Sequence, residues 1–430
     1  MNSVWNETVS RDKKPALCED RTADVLVIGG GMCGILTAHF LKEAGARPIV
    51  VEGSRIGGGV TQNTTAKITA QHGLIYADLL ARFGRERALQ YYSSNTEAIA
   101  QYHALAEQLP CDFEYKTAHV YSTNRKDKLE REAEAYQKLN IPARLVESLD
   151  LPLQTVGAVT MEGQAQFHPL KLLYALSEGL EIYEDTFVQK LEGNTAHISR
   201  GKITAERIVL ATHYPLVNIL GLYFLKLYQH RSYVLALEGA PSVDGMFLDE
   251  QEAGLSFRTY EDLLLVGGGD HKTGKKDGGL SVLKRFVKGA YPEAQVKCHW
   301  ATQDCMSLDK VPYIGRHSGG RSDLYVASGF NKWGMTGSMV AAQVLTDLII
   351  QGHGEYEALY VPRRSILTKQ LISNIGAAAG LLTPGAPRCT HMGCKLHENA
   401  AEQSWDCACH GSRFDLNGQV ITGPAKKELK

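Results

Sequence analysis

The side chains best suited to chemistry in this 430-residue chain lie in two short boxes near its carboxyl end, Cys389-Thr-His391-Met-Gly-Cys394 and Cys407-Ala-Cys409-His410-Gly-Ser412. Each box offers one thiolate, one imidazole and a spare Cys, and fifteen residues lie between His391 and Cys407. Two thiolates and two imidazoles suit a two-iron cluster in which Cys389 and Cys407 hold one iron and His391 and His410 the other. Such a centre moves one electron at a time, so the rest of the chain is expected to be its redox partner. A small zinc site is the alternative. Zinc also takes four N/S ligands, but its usual spacing puts both Cys in one arm and both His in the other.

Together with Trp405 and the run His410-Gly-Ser-Arg-Phe-Asp415, the boxes resemble the cluster-binding part of a Rieske [2Fe-2S] domain. The resemblance implies a disulfide between Cys394 and Cys409 bracing the two loops. It also implies a Ser and a Tyr hydroxyl donating to the cluster sulfurs. Ser412 is kept, but Phe414 stands where the Tyr would be. One donor fewer leaves the reduced cluster less stabilised, so a potential below the top of the roughly −150 to +300 mV Rieske range is expected. Only Leu381 to Arg388 intervene between an apolar stretch and the first box, where a full domain has several strands. The base of the module is therefore expected to be short.

At the other end, Asp24-Val-Leu-Val-Ile runs into Gly29-x-Gly31-x-x-Gly34, a helix-like stretch to Ala44, and a second apolar run ending at Glu52. This strand–turn–helix–strand unit reads as a dinucleotide site. Gly29 permits the tight turn, Gly31 lets backbone approach a pyrophosphate, and Gly34 lets the helix pack on the strand. The helix N-terminus would hold the pyrophosphate and Glu52 a ribose hydroxyl.

Further segments decide which dinucleotide. Gly53 to Thr61 is glycine-rich and is followed by Asn63-Thr64-Thr65-Ala-Lys67; far downstream come Asp309 to Gly315, a strand to Ala327, and Ser328-Gly-Phe-Asn-Lys-Trp-Gly334-Met335-Thr336 opening a helix to Ile350. This order resembles FAD-dependent oxidoreductases of the D-amino-acid oxidase/glycine oxidase class over roughly residues 20 to 355. The resemblance implies FAD, with Thr61, Thr64, Thr65 and Gly315 beside it. It also implies that Gly334, Met335 and Thr336 offer a helix start to the flavin's pyrimidine edge, where N–H groups stabilise negative charge. Lys67 is a further candidate near the flavin.

The elements between these segments must build a substrate pocket. Glu86–Leu109 and Arg125–Leu139 read as helices, Phe167-His168-Pro169 as a helix start, and Arg207–Pro215 as a buried strand. His230–Val234, Ser256–Thr259 and Leu263–Lys272 read as antiparallel strands. By the resemblance, Arg258 would grip a substrate carboxylate bidentately, Tyr233 would add a hydrogen bond, and His271 with Lys272 would lie near the flavin. His168 and His213 are read as structural.

The expected fold is an α/β FAD-binding Rossmann-like domain, an α+β substrate domain with an antiparallel sheet, and a small all-β Rieske-type module. The expected division is 1–365 for the flavoprotein part, with FAD segments at about 20–75, 160–215 and 309–355 and a substrate domain at about 76–159 and 216–308. A connector at 366–384 and the module at 385–430 follow. With 46 basic against 47 acidic residues, no nucleic-acid footprint is visible. No apolar run of about 18 residues suggests a membrane span, and the polar N-terminus suggests a cytoplasmic, soluble protein. Arg363-Arg364 followed by Ile366–Leu382 superficially resembles an export signal but lies far from the N-terminus, so it reads as a connector helix. The expected function is oxidation of a small amine or amino acid, with electrons passing from FAD to the cluster and on to a one-electron carrier protein or quinone. The rival reading is a non-catalytic binding or sensing protein whose tail holds zinc or a labile cluster.

Overall fold

The computed structural model describes residues 2–275, 279–364 and 387–429, so the expected connector lies outside the described residues. Three sheets organise the chain. The first runs β16 (Tyr313–Arg316), β17 (Leu324–Ser328), β10 (Gly201–Leu210), β1 (Arg21–Ile28), β2 (Pro48–Val51), β7 (Glu181–Tyr183), and β8 (Lys190–Glu192) and β9 (Thr195–Ile198) form a hairpin on β10. Its central strands pair in parallel, and β2 and the Val25–Ile28 half of β1 are buried, as β-branched runs covered on both faces should be. The helices Met32–Glu43 and Gly334–Ile350 share one core on this sheet through Ile35, Leu36, Met339 and Val340.

The second sheet is ordered β15 (Gln295–Ser307), β11 (Leu227–Glu238), β14 (Leu263–Lys272), β13 (Ser256–Tyr260), β12 (Met246–Asp249), β4 (Glu114–Ser122), β6 (Gly157–Gln166), β3 (Lys67–Ile68), with β5 (Ala143–Val146) on β6. All its pairings are antiparallel except β4 with β12. The third sheet is a four-stranded meander: β18 (Leu396–Asn399), β19 (Ser404–Cys407), β20 (Arg413–Asp415) and β21 (Val420–Thr422). The fold is the expected one, including the small all-β sheet at the end.

Register decides which side chains can meet. Residues directly opposite in an antiparallel pair point to the same face. His230 on β11 faces Asp304 on β15 and Lys272 on β14, and Ser232 faces Thr302. Arg231 faces Gln303 and His271, one step out of phase. One face of the sheet therefore carries His230, Ser232, Thr302 and Asp304, and the other carries Arg231, Tyr233, Gln303 and His271.

Most expected elements are found within a few residues. The helix expected over Glu86–Leu109 instead spans Tyr76–Ala106, broken by Gly84 at φ +80°. Its first turn is held by a distant carboxylate: Tyr76 N and Ala77 N donate to Glu132 at 2.7 and 2.9 Å. His168 caps the helix Pro169–Ser177 through Nδ1, with Thr8 Oγ1 at 2.7 Å from its other nitrogen, so it is structural as expected.

Candidate active site and iron–sulfur centre

At the glycine turn the backbone leaves no room for side chains. Gly29 sits at φ +114°, and a Cβ there would meet Ala211 O at 2.4 Å; a Cβ on Gly34 would meet Gly29 O at 1.9 Å. Gly31 opens the helix Met32–Glu43 without a side-chain cap of its own, and Met32 N donates to Thr61 Oγ1 at 3.0 Å. Glu52, at the end of β2, accepts from Gly30 N (2.8 Å) and Ser54 N (2.9 Å), and burial raises its carboxyl above the ordinary range. A cradle that a Cβ would fill, a helix start whose N-cap is a glycine and a fixed carboxylate together fit a dinucleotide.

The segment 63–66 is pinned by its carbonyls. Trp300 Nε1 donates to Asn63 O at 3.0 Å, Trp5 Nε1 to Thr64 O at 2.8 Å, and Arg258 Nη1 to Thr65 O and Ala66 O at 2.7 and 2.9 Å. Thr336 Oγ1 accepts from Thr69 N and donates to Thr69 O (3.0 and 3.1 Å), and Met335 O accepts from Tyr102. Gly315, on β16, lies at φ +132° against Pro362. The amino-terminal and carboxyl-terminal cofactor segments are thus tied together through residues 63–69.

The three substrate candidates do not converge. Arg258 is 1% exposed and spends its guanidinium on the carbonyls of Thr65, Ala66 and Thr259, so it braces the 63–66 segment and presents no fork to a carboxylate. Tyr233 lies on the opposite sheet face, where its hydroxyl donates to Glu402 at 2.7 Å. His271 stacks on Tyr233 on that same face, with ring centroids 5.9 Å apart. The period of two along a strand explains this: Arg258 lies on the face of Ser232 and Ala236, opposite the face of Tyr233 and His271, so the three cannot share a pocket.

The face opposite Tyr233 looks toward the cofactor segment, because Trp300 on it reaches Asn63. It presents Asp304, Thr302, Ser232 and His230, none of which the sequence singled out. Asp270, on β14, ion-pairs with Lys332 from the loop before the helix Gly334–Ile350. Burial pushes Asp304 up to about 6, and it pushes His230 down to about 3, so that imidazole is neutral. Lys67, beside this cluster, is lowered to about 7 by burial and then by Arg258. Lys332 stood within the quoted 328–336 motif; the Asp residues had no motif, only their alternation along strands.

The two carboxyl-terminal boxes come together as the spacing predicts. Cys389 and Cys407 are fully buried and hydrogen-bond to each other, and Cys389 also receives the hydroxyl of Ser412 and the N–H groups of His391 and Met392. These donors, the Cys407 thiol first, hold Cys389 below the usual thiol range. The His391 and His410 rings stand at right angles, 4.9 Å apart, and Nδ1 of each is buried without a partner. Two orphaned imidazole nitrogens beside two buried thiols fit a cluster with one Cys pair and one His pair. The remote nitrogens are held from behind, the usual arrangement for ligating histidines: His391 Nε2 lies 3.2 Å from Asn218 Oδ1, and His410 bonds the Phe224 backbone. Cys394 and Cys409 stand as thiols, with the sulfurs of Cys394, Cys407 and Cys409 all within 4.8 Å.

The module leans on the flavoprotein part. Gln229 Nε2 donates to His410 O at 2.7 Å and Gln303 Nε2 to Gly411 O at 2.8 Å. A Cβ on Gly411 would meet Gln229 at 2.6 Å, and one on Gly274 would meet Ala408 N at 2.5 Å, so glycines allow the approach from both sides. Glu402 joins Arg231 and Tyr233 of the sheet to Arg413 of the module, and Arg413 also pairs with Asp406. This buried network couples the module to the second sheet. Both cluster histidines face Tyr214, at 6.3 and 6.4 Å, just beyond the end of β10.

Comparison with known proteins accords with this geometry. Residues 24–348 match the family described as FAD dependent oxidoreductase, and residues 379–430 match the Rieske [2Fe-2S] domain. YhfW of Bacillus subtilis (strain 168), which bears Rieske 2Fe-2S in its name, is 34% identical over 100% of this chain and 97% of its own length. Among solved structures, L-proline dehydrogenase from P. horikoshii superposes with a TM-score of 0.68 at 18% identity, covering 80% of this chain and 98% of that one. Glycine oxidase from Geobacillus kaustophilus gives 0.67 at 19% identity, covering 81% and 100%. At such identities the likeness is one of fold.

Proposed function

The chain belongs to the FAD dependent oxidoreductase family and ends in a Rieske [2Fe-2S] domain, and on that premise we propose that it oxidises a small amine or amino acid at FAD, the electrons leaving singly through the cluster. The external acceptor is a one-electron carrier protein or a quinone. FAD supplies the two-electron acceptance and the cluster the one-electron step; the chain supplies position and electrostatics. Cys389, Cys407, His391 and His410 are the cluster ligands, and the glycine turn, Glu52, Thr61 and the 334–336 helix start hold the dinucleotide. Residues 1–365 form the flavoprotein part and 385–430 the cluster module.

One observation carries this reading. The orphaned His391 and His410 are turned inward onto Tyr214, Asn218 and Phe224, residues that follow β10, and the Gly29 turn packs against Ala211 at the end of that strand. A cluster held there sits against the dinucleotide-binding sheet. Asn218 fixes the His391 ring, Gln229 and Gln303 fix the loop carrying His410, and Arg258, Trp5 and Trp300 hold the 63–66 segment.

The test is an anaerobic titration of purified protein with a panel of primary and secondary amines and amino acids, following flavin and cluster absorbance together. The expected result is that one class bleaches both chromophores. A cluster that stays oxidised while the flavin bleaches would contradict the relay, and a flavin that no member reduces would contradict the substrate class.

A further inference from the structure

The face of β11, β14 and β15 that carries Trp300 holds several buried polar groups without a partner. Thr302 is 9% exposed, and its hydroxyl has no partner. Ser232 Oγ and Asp270 Oδ1 are likewise buried without one. Asp304 lies between them on the same face, with no hydrogen bond or ion pair to any described residue; the charges it feels are Lys332, Asp270 and Arg231. Arg231 points to the other face and is neutralised by Glu402, and Lys332 is neutralised by Asp270. His230, opposite Asp304, is neutral and stands 3.1 Å from Glu252. Two ammonium groups remain, Lys272, opposite His230 and over the Tyr228 ring, and Lys67; burial lowers both, Lys67 to about 7.

A carboxylate ligand needs a guanidinium or ammonium that is not already spent. Here both nearby guanidinia are engaged, Arg258 on backbone carbonyls and Arg231 on Glu402. A cation, in contrast, would find an unpaired carboxylate flanked by two unpartnered hydroxyls, which can turn their oxygens toward an N–H donor. From this geometry we infer that the pocket takes a cationic amine lacking a carboxylate, its ammonium held by Asp304 with Thr302 and Ser232 as further acceptors. The inference rests on the proposed amine or amino-acid oxidation and narrows it to amines. Asp304 and Thr302 act as binding residues.

The test uses the flavin-loaded protein and two probes of one shape and opposite charge, tert-butylammonium and pivalate. Neither bears hydrogen on the carbon next to its charged group, so neither can be dehydrogenated there and binding is read apart from turnover. At about pH 8 an aliphatic ammonium is still protonated and Asp304 is ionised. Tert-butylammonium is expected to perturb the flavin spectrum saturably and pivalate to leave it unchanged. Asp304→Asn should weaken the ammonium about tenfold or more, the size of a hydrogen bond to a charged group, with flavin and iron content unaltered. Pivalate binding more tightly, neither probe binding, or an ammonium affinity indifferent to Asp304→Asn would each overturn the cation site. The redox reading is judged separately, by the bleaching panel: an amino acid that bleaches both chromophores keeps that reading even if the cation site fails. Should Asp304→Asn not fold, the two probes on the unaltered protein still decide.

Discussion

At the scale of single residues, the centre is set by which donors surround two sulfurs. Phe414 is fully buried in the cluster that also contains Cys389, Cys394, Cys407 and Cys409. Phe414→Tyr adds a hydroxyl where none exists, and a donor reaching a cluster sulfur stabilises the reduced form. An EPR-monitored redox titration should show the midpoint moving to higher potential. A midpoint that stays or falls would place the ring away from the sulfurs. His391→Ala removes one ligand and should abolish the cluster signal while the yellow chromophore and its content persist. These boxes were legible because ligands on tight local spacing carry their own geometry. Arg258, Tyr233 and His271 were not, because each was read as a residue type beside a pocket, and which face a strand residue occupies depends on its register with neighbours. Asp304 escaped for the same reason.

At the scale of elements, the glycine turn was readable because Gly29 and Gly34 answer a purely steric demand. Gly34→Ala places a methyl 1.9 Å from Gly29 O and should destabilise the fold by at least ~2 kcal/mol, with flavin lost on gel filtration. The start of the helix Tyr76–Ala106 was missed, since its cap is a Glu from another helix. Burial lifts Glu132 to about 7, above its ordinary 4.5. A carboxyl whose folded value is raised favours the fold while protonated. Its contribution is therefore complete below about pH 4.5 and is lost as pH rises through about 7, a change of ~3 kcal/mol. Denaturant melts of the wild type should weaken from pH 5 to pH 8 by about this amount, and Glu132→Gln, which cannot ionise, should flatten the trend. An unchanged slope in the variant would assign it to other groups.

At the scale of the whole molecule, the carboxyl-terminal module is joined to the flavoprotein part by buried polar bridges. Glu402 bridges Arg231 and Tyr233 of the second sheet to Arg413, across 171 positions of chain from Arg231. No local pattern reveals a bridge of that span. Among the described residues no helix is long and apolar enough to cross a membrane. Glu402→Gln weakens the charge that holds two buried guanidinia, at a cost of several kcal/mol at most. If docking positions the cluster, stopped-flow mixing with a reducing amine should show flavin reduction at the wild-type rate and slower cluster reduction. Equal slowing of both would mean that the bridge supports the fold at large.

The central claim is that two thiolates and two imidazoles hold a pair of irons against a flavin-binding sheet. Protein purified without air, assayed for flavin, iron, zinc and acid-labile sulfide and then reduced with dithionite for EPR, tests it most directly. One FAD, two irons and two sulfides per chain are expected, with a g-average below that of an all-thiolate cluster. One zinc with no labile sulfide, or an all-thiolate signal, would contradict it.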